Sequence, residues 1–296
     1  MRDLFRAEWL KIVGNRWVAG CLVWIFPLGA LAFILIAGVI LLLSSSARQG
    51  FRQDEAALWT EQAIGVWSFP NNPLGRLILL GFTAVVFAGE YQWGTWKNIV
   101  PRNRRFSLVV VKFIALGVFV VLAFALMSVL WAAGWGVLTR IAGSTYGPRV
   151  TTEVIRDFAG DYALAASLAF TSTIIAAGYA ALAGMLTRSI LGGVIVGFAV
   201  TFAENLSIVV LLLIGWLLDI PKAVLVYRFT PGYNLLNVAS WISDKAPSVV
   251  RPYENGPHAE IVLSDSLEFS VLVLAVWVVG LVLLTGLLFR RQDITS

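Results

Sequence analysis

Apolar and polar positions along this chain do not alternate; they separate into long blocks. Apolar residues dominate about 17–43, 73–89, 108–138, 162–187, 190–218 and 268–289. A helix needs about 20 such residues in a row to cross roughly 30 Å of hydrocarbon, so the blocks predict six transmembrane helices. The predicted fold is an all-α polytopic membrane protein whose single transmembrane domain spans 1–296. The first block is too long for a signal-peptide core and has no clear small-x-small cleavage site, so it reads as a retained span. Asn71-Asn72-Pro73 supplies a helix start for the second block, which ends at Glu90. An even number of spans puts both termini on one side.

Composition moves the solvent from water to lipid. The chain is 59% hydrophobic and 13% charged, with mean hydropathy +0.83, whereas soluble domains carry about a quarter charged residues. A net charge of +5 is compatible with nucleic-acid binding, but basic residues beside spans more simply mark cytoplasmic loops at an anionic leaflet. Arg2, Arg6, Lys11 and Arg16 precede the first span, Lys97, Arg102, Arg104 and Arg105 follow the second, and Arg290 and Arg291 close the last. All three groups fall on one face. The opposite loops hold most of the acids, among them Asp54, Glu61, Glu153, Asp157, Asp219 and Asp265. The chain therefore reads as a multi-pass plasma-membrane protein with both termini cytoplasmic, membrane lipid as a partner and no nucleic acid. Trp17, Trp67, Trp93, Trp96, Trp216 and Trp241 stand near predicted span ends, where interfacial anchors belong.

Several chemistries are excluded. Cys21 is the only cysteine, so there is no intrachain disulfide and no thiolate metal cluster. His258 is the only histidine, which argues against histidine-rich metal sites and against a Ser-His-Asp triad within the spans. No G-x-x-x-x-G-K-[ST] phosphate loop is present, so the chain builds no ATP site of the usual kind. No catalytic, cofactor-binding or metal residue is assigned. An integral membrane enzyme would need catalytic groups gathered at one depth, and the spans hold almost no charge.

Four segments carry mechanism. Residues 1–16 place Leu4, Phe5, Trp9, Ile12 and Val13 on one broad helical face, as in an interfacial helix, serving either as an anchor or as a protein-binding surface. The segment 219–267, with Pro221, Pro231, Pro247, Pro252 and Pro257, predicts a long external loop with short helices on the outer leaflet. Glu204, beside Asn205, sits near the middle of the fifth block, where an acid costs on the order of 3 kcal/mol. It either lines a translocation path or a dimer seam, or caps the second half of a broken span. Gly192, Gly193 and Gly197 offer small surfaces for helix packing, with Gly-x-x-x-Gly a weak signal of a dimer. The fourth segment is the connector 90–107. An acid at a span's end, a Gly-Thr break and a proline before a basic cluster predict a compact cytoplasmic helix, although any charged connector looks similar.

Glu90-Tyr91-Gln92-Trp93-Gly94-Thr95, then Pro101, Arg105 and Lys112, resembles the E-x-x-x-G-T…P…R…K stretch of type-2 ABC exporter permeases. The basic N-terminus, six spans, long last external loop and closing Phe289-Arg290-Arg291 also resemble that family, with the bacitracin, lantibiotic-immunity and copper-enzyme-maturation transporters the nearest in pattern. The resemblance implies a permease subunit, not itself an enzyme, forming half of a pathway as a homodimer or heterodimer. It implies a separate ABC ATPase subunit that carries ATP and Mg. It also places Glu90, Tyr91, Gly94, Thr95 and Arg105 in a coupling helix between spans two and three, at the contact with that ATPase. An ion-coupled secondary transporter using Glu204 is the alternative, and it would call for paired broken helices and several intramembrane charges.

Overall fold

A computed structural model describes residues 2–15, 20, 23–53, 57–96, 104–253 and 258–292. The start of the first apolar block with Cys21, and the part of the connector that holds Lys97, Pro101 and Arg102, lie outside the described residues. Among the described residues the fold is all-α, 83% helical. Its helices are α1 (Arg2–Gly14), α2 (Ile25–Leu43), α3 (Ser45–Gln53), α4 (Trp59–Gly65), α5 (Pro73–Gln92), α6 (Arg105–Ala142), α7 (Thr152–Thr187), α8 (Ile190–Asn205), α9 (Ser207–Leu217), α10 (Pro231–Ser243) and α11 (Leu267–Arg291). Strands β1 (Ala57–Leu58) and β2 (Tyr146–Gly147) form one short parallel pair.

Among the described residues five helices, α2, α5, α6, α7 and α11, are long and apolar enough to cross a bilayer, and α8 with α9 makes a sixth candidate bent by 62°. Such a set is that of a membrane protein. No proline or glycine breaks the sixth candidate. The bend follows Glu204-Asn205, where Leu206 ends α8 before Ser207 restarts the helix. Helix α7 begins at Thr152, well before the apolar block near 162. Glu153, Arg156, Asp157 and Asp161 are exposed, and Thr151 Oγ accepts the Val154 N–H at 3.3 Å, so those first turns are a capped, water-compatible extension.

The chain divides into two compact units. In the unit formed by Met1–Phe82 and Ile114–Phe170, α2 packs along the second half of α6. Ile34, Leu41, Leu138 and Ala142 are buried together, and Gly134 lets Ile34 approach so closely that an added methyl would lie 2.5 Å from its side chain. Arg52 donates from Nε to the Ala142 carbonyl, capping the end of α6 with a cation. On α1, Ile12 and Glu8 face inward and Trp9 stacks on Phe119 with ring centroids 4.4 Å apart, while Val13 is exposed. The packed face of α1 is therefore centred on 5, 8, 9 and 12, with Val13 at its edge, a rotation from the purely apolar face expected.

In the unit formed by Thr83–Phe113 and Thr171–Ser296, small residues bring α5, α7 and α8 together. A methyl on Gly193 would meet the Ala180 carbonyl at 3.0 Å and Ala84 Cβ at 3.0 Å, and one on Gly197 would meet Ala180. The glycines of the fifth block thus serve packing within the chain. The segment 219–267 contains a 3-10 turn, Pro221–Phe229, followed by α10, so the expected short helices are present there.

Candidate functional site

The Glu90–Thr95 stretch is a helix stop. Gly94 adopts φ +63°, the left-handed conformation that glycine reaches without a Cβ clash. The Gly94 N–H donates to the Tyr91 carbonyl at 3.2 Å and the Thr95 N–H reaches back to the Glu90 carbonyl at 3.1 Å. Together these are the two bonds of a Schellman motif, which satisfy carbonyls left over at the end of α5. The Gly-Thr pair is thereby accounted for by backbone geometry.

The stop also folds its own acid inward. Glu90 is fully buried, and Lys112, one helix away and equally buried, donates from Nζ to Glu90 Oε1 at 2.9 Å and to the Val86 carbonyl at 2.9 Å. The Thr95 hydroxyl donates to Glu90 Oε2. Trp96 closes the cluster: its ring lies 5.3 Å from Lys112 Nζ and 4.3 Å from the Phe289 ring, and both aromatics are buried. A buried charge pair is tolerated when both members are hydrogen-bonded, as here.

Arg105 and Gln292 tie the end of α11 to the same cluster. Arg105 donates from one guanidinium nitrogen to the carbonyls of Phe289 at 3.1 Å, Arg290 at 3.2 Å and Gln292 at 2.6 Å, the position where a cation complements the negative end of a helix. The Tyr91 hydroxyl donates to Gln292 Oε1, and Gln292 Nε2 donates to the Met185 carbonyl of α7 at 2.8 Å. The ends of α5, α7 and α11 and the start of α6 therefore meet in one bonded node. Of the five residues assigned to a partner contact, Glu90 faces inward, Tyr91, Thr95 and Arg105 are half-buried, and Gly94 is exposed with Gln92 and Trp93.

Glu204 lies at the α8–α9 bend. Its Oε1 accepts the Gly232 N–H at 3.0 Å and its Oε2 accepts the Tyr179 hydroxyl at 3.3 Å. Gly232 is in the first turn of α10, so the carboxylate caps the positive end of that helix, a terminus other than the one expected from its own span. The distinction comes from tertiary folding, which brings α10 back to the bend. Asn205 is exposed. Burial first, and the Glu204 charge second, raise the Tyr227 hydroxyl above the ordinary tyrosine range.

A third cluster went unnoticed in the sequence. Asp265 pairs with Arg228 and accepts the Tyr233 hydroxyl at 3.0 Å, while its backbone carbonyl accepts Asn237 Nδ2 at 2.9 Å and Trp241 Nε1 at 3.0 Å. Burial, then the hydrogen bond to Asp265 and its charge, hold the Tyr233 hydroxyl well above its usual range against the opposing pull of Arg228. The available signal was the spacing of Tyr233, Asn237 and Trp241, one helical turn apart on a single face of α10. Among the described residues, no group of three or more His, Cys, Asp and Glu is placed to hold a metal ion. No protein-family model, curated protein or solved structure matches the chain.

Proposed function

We propose that this chain is the membrane-spanning permease subunit of an ABC exporter, one half of a translocation pathway driven by a separate ATPase chain that carries ATP and Mg. In this reading it sits in the plasma membrane with both termini cytoplasmic and pairs with itself or with a sister permease. The observation that carries the reading is the node at the end of α5. The stretch that resembles the exporter signature is also where the ends of three helices and the start of a fourth are bonded together.

That arrangement suits force transmission. Exposed Gln92, Trp93 and Gly94 present a surface to a partner, whereas Glu90, Thr95, Lys112 and Arg105 lie behind it and hold the helix ends in register. A push on the turn from a closing ATPase dimer would move the ends of α5 and α11 and the start of α6 as one body. The spans would then shift between inward-facing and outward-facing states. The role of the motif residues is refined accordingly: the exposed turn is the contact and the buried charges are its mounting.

The test is site-specific crosslinking. A photoreactive amino acid at exposed Trp93 is expected to capture a co-expressed nucleotide-binding subunit, and the same group at Leu272 on α11 is expected not to. Equal capture at both positions, or none at either with a subunit that does co-purify, contradicts the assignment of the contact.

A second reading, an ion-coupled transporter, is favoured by one feature: the bent α8–α9 pair carries an acid at its break, as discontinuous transporter helices do. Both Glu204 oxygens are engaged with protein groups, which favours the capping role. Solute uptake driven by an ion gradient without any ATPase, and lost in Glu204→Gln, would select this second reading.

A further inference from the structure

In the unit built on α2 and the second half of α6, the seam between these helices leaves an apolar groove of about 430 Å³. Ala37, Leu41, Trp135 and Leu138 form its walls, Ile36 and Ile40 its exposed rim, and Ala47 and Phe51 of α3 close one end. The other end is floored by Phe33, which is backed by Trp131 in a tilted contact with ring centroids 5.1 Å apart. We propose that this groove holds one acyl chain of an anionic phospholipid, with the phosphate at Arg48 and Arg52 of α3.

Three observations carry the assignment, which rests on the membrane reading of the chain and not on the transporter reading. The first is the chemistry of the walls: the lining side chains are aliphatic or aromatic, with the Trp135 indole N–H the one polar side-chain group among them, fewer partners than a buried water needs, and α2 is apolar and exposed on its open side at Leu35, Ile36, Val39 and Ile40. The phase that covers this face, and fills the groove, is hydrocarbon.

The second is length. From Leu41 back to Phe33 is eight residues, about 12 Å at the helical rise, to which the turn into α3 adds the remainder. One leaflet's share of the hydrocarbon core is about 15 Å. A single chain therefore reaches from α3 to the Phe33–Trp131 floor.

The third is charge. Helix α3, Ser-Ser-Ala-Arg-Gln-Gly-Phe-Arg-Gln, carries Arg48 and Arg52 one turn apart and no acid. Ala47 and Phe51, the residues just before each arginine, are the ones that close the groove. The same helix thus presents a hydrocarbon surface and a doubly cationic one, the pattern that binds an anionic headgroup above its chain. Arg52 spends its Nε on the Ala142 carbonyl, and the rest of its planar fork retains donors for a phosphate.

The experiment uses the purified full chain in phosphatidylcholine vesicles doped with a trace of phosphatidylglycerol or phosphatidylcholine bearing a mid-chain diazirine. Adducts are mapped by mass spectrometry after illumination. The proposal expects adducts at Ala37, Ile40 and Trp135 several-fold above those on the lipid-exposed residues Val276 and Leu283 of α11, and a several-fold preference for the glycerol headgroup in the groove only. Ala37→Trp should remove the groove adducts and spare those on α11, which also reports that the variant is folded. If Ala37→Trp does not fold, Ile40→Trp at the exposed rim serves instead. Arg48→Gln with Arg52→Gln should equalise the two probes. Equal labelling of groove and α11, or groove adducts that survive the filling substitution, overturns the chain site. Equal labelling by the two headgroups in the unaltered protein overturns the phosphate site.

Discussion

Glu90 and Glu204 are both acids at the ends of apolar helices, and the chain accommodates them by different means. Glu90 is fully buried and is matched by a full counter-charge on Lys112 and a hydroxyl from Thr95. Glu204 is half-buried and is matched by a helix terminus and a phenol, Gly232 N–H and Tyr179 OH. Removing a solvated carboxylate from water costs several kcal/mol, so the deeper acid needs the stronger partner. A pair of charges fixes one geometry, whereas a dipole cap tolerates small shifts. In the transporter reading, the first therefore suits a rigid mounting and the second a bend that moves.

The sharpest way to break this comparison is to remove one cation. Lys112→Met leaves a buried carboxylate without its counter-ion and is expected to destabilise the protein by about 3–5 kcal/mol. Adding Glu90→Gln to it should recover much of that loss. Thermal unfolding in detergent measures both, and a double variant no more stable than Lys112→Met would show that the pair is not the unit described. Next in size is Gly94→Ala, which forces a Cβ into the left-handed region and is expected to cost about 1–2 kcal/mol by the same assay. A neutral result would mean that the α5 stop does not depend on that conformation.

At the shallower acid the expected effects are smaller. Glu204→Gln keeps an oxygen for the Gly232 N–H but loses the charge at the α10 terminus, about 0.3–1 kcal/mol, and should therefore cost less than Lys112→Met. A loss as large as that of Lys112→Met would contradict the contrast between the two acids. The smallest effect is a pH dependence around α10. Because the folded state holds the Tyr233 proton more tightly than the unfolded chain, its contribution to stability is complete below the unfolded value of about 10 and declines as pH rises above it. Tyr233→Phe should flatten the alkaline side of a stability–pH profile; an unchanged slope would remove Asp265 and Tyr233 as the source.

Much of the architecture was legible because the solvent is legible: long apolar blocks in a chain with few charges leave the backbone no option but helix. The Glu90–Lys112 spacing was visible, but not that Glu90 faces inward, since that depends on a lysine on the next helix. The break at Leu206 carried only a polar Glu204-Asn205 cue, without proline or glycine. Asp265 read as one external acid among many because its partner Arg228 lies far along a proline-rich segment. Contacts between distant segments were the part that periodicity does not encode.

The central claim is that this chain couples to a separate ATPase through the turn that ends α5. The direct measurement is ATP hydrolysis by this chain co-purified with a nucleotide-binding subunit, comparing the unaltered protein with Glu90→Ala and Gly94→Trp. The account predicts a stable pair whose hydrolysis is uncoupled from transport, or whose ATPase detaches, in both variants. A chain that moves solute or performs chemistry with no ATPase associated would contradict it.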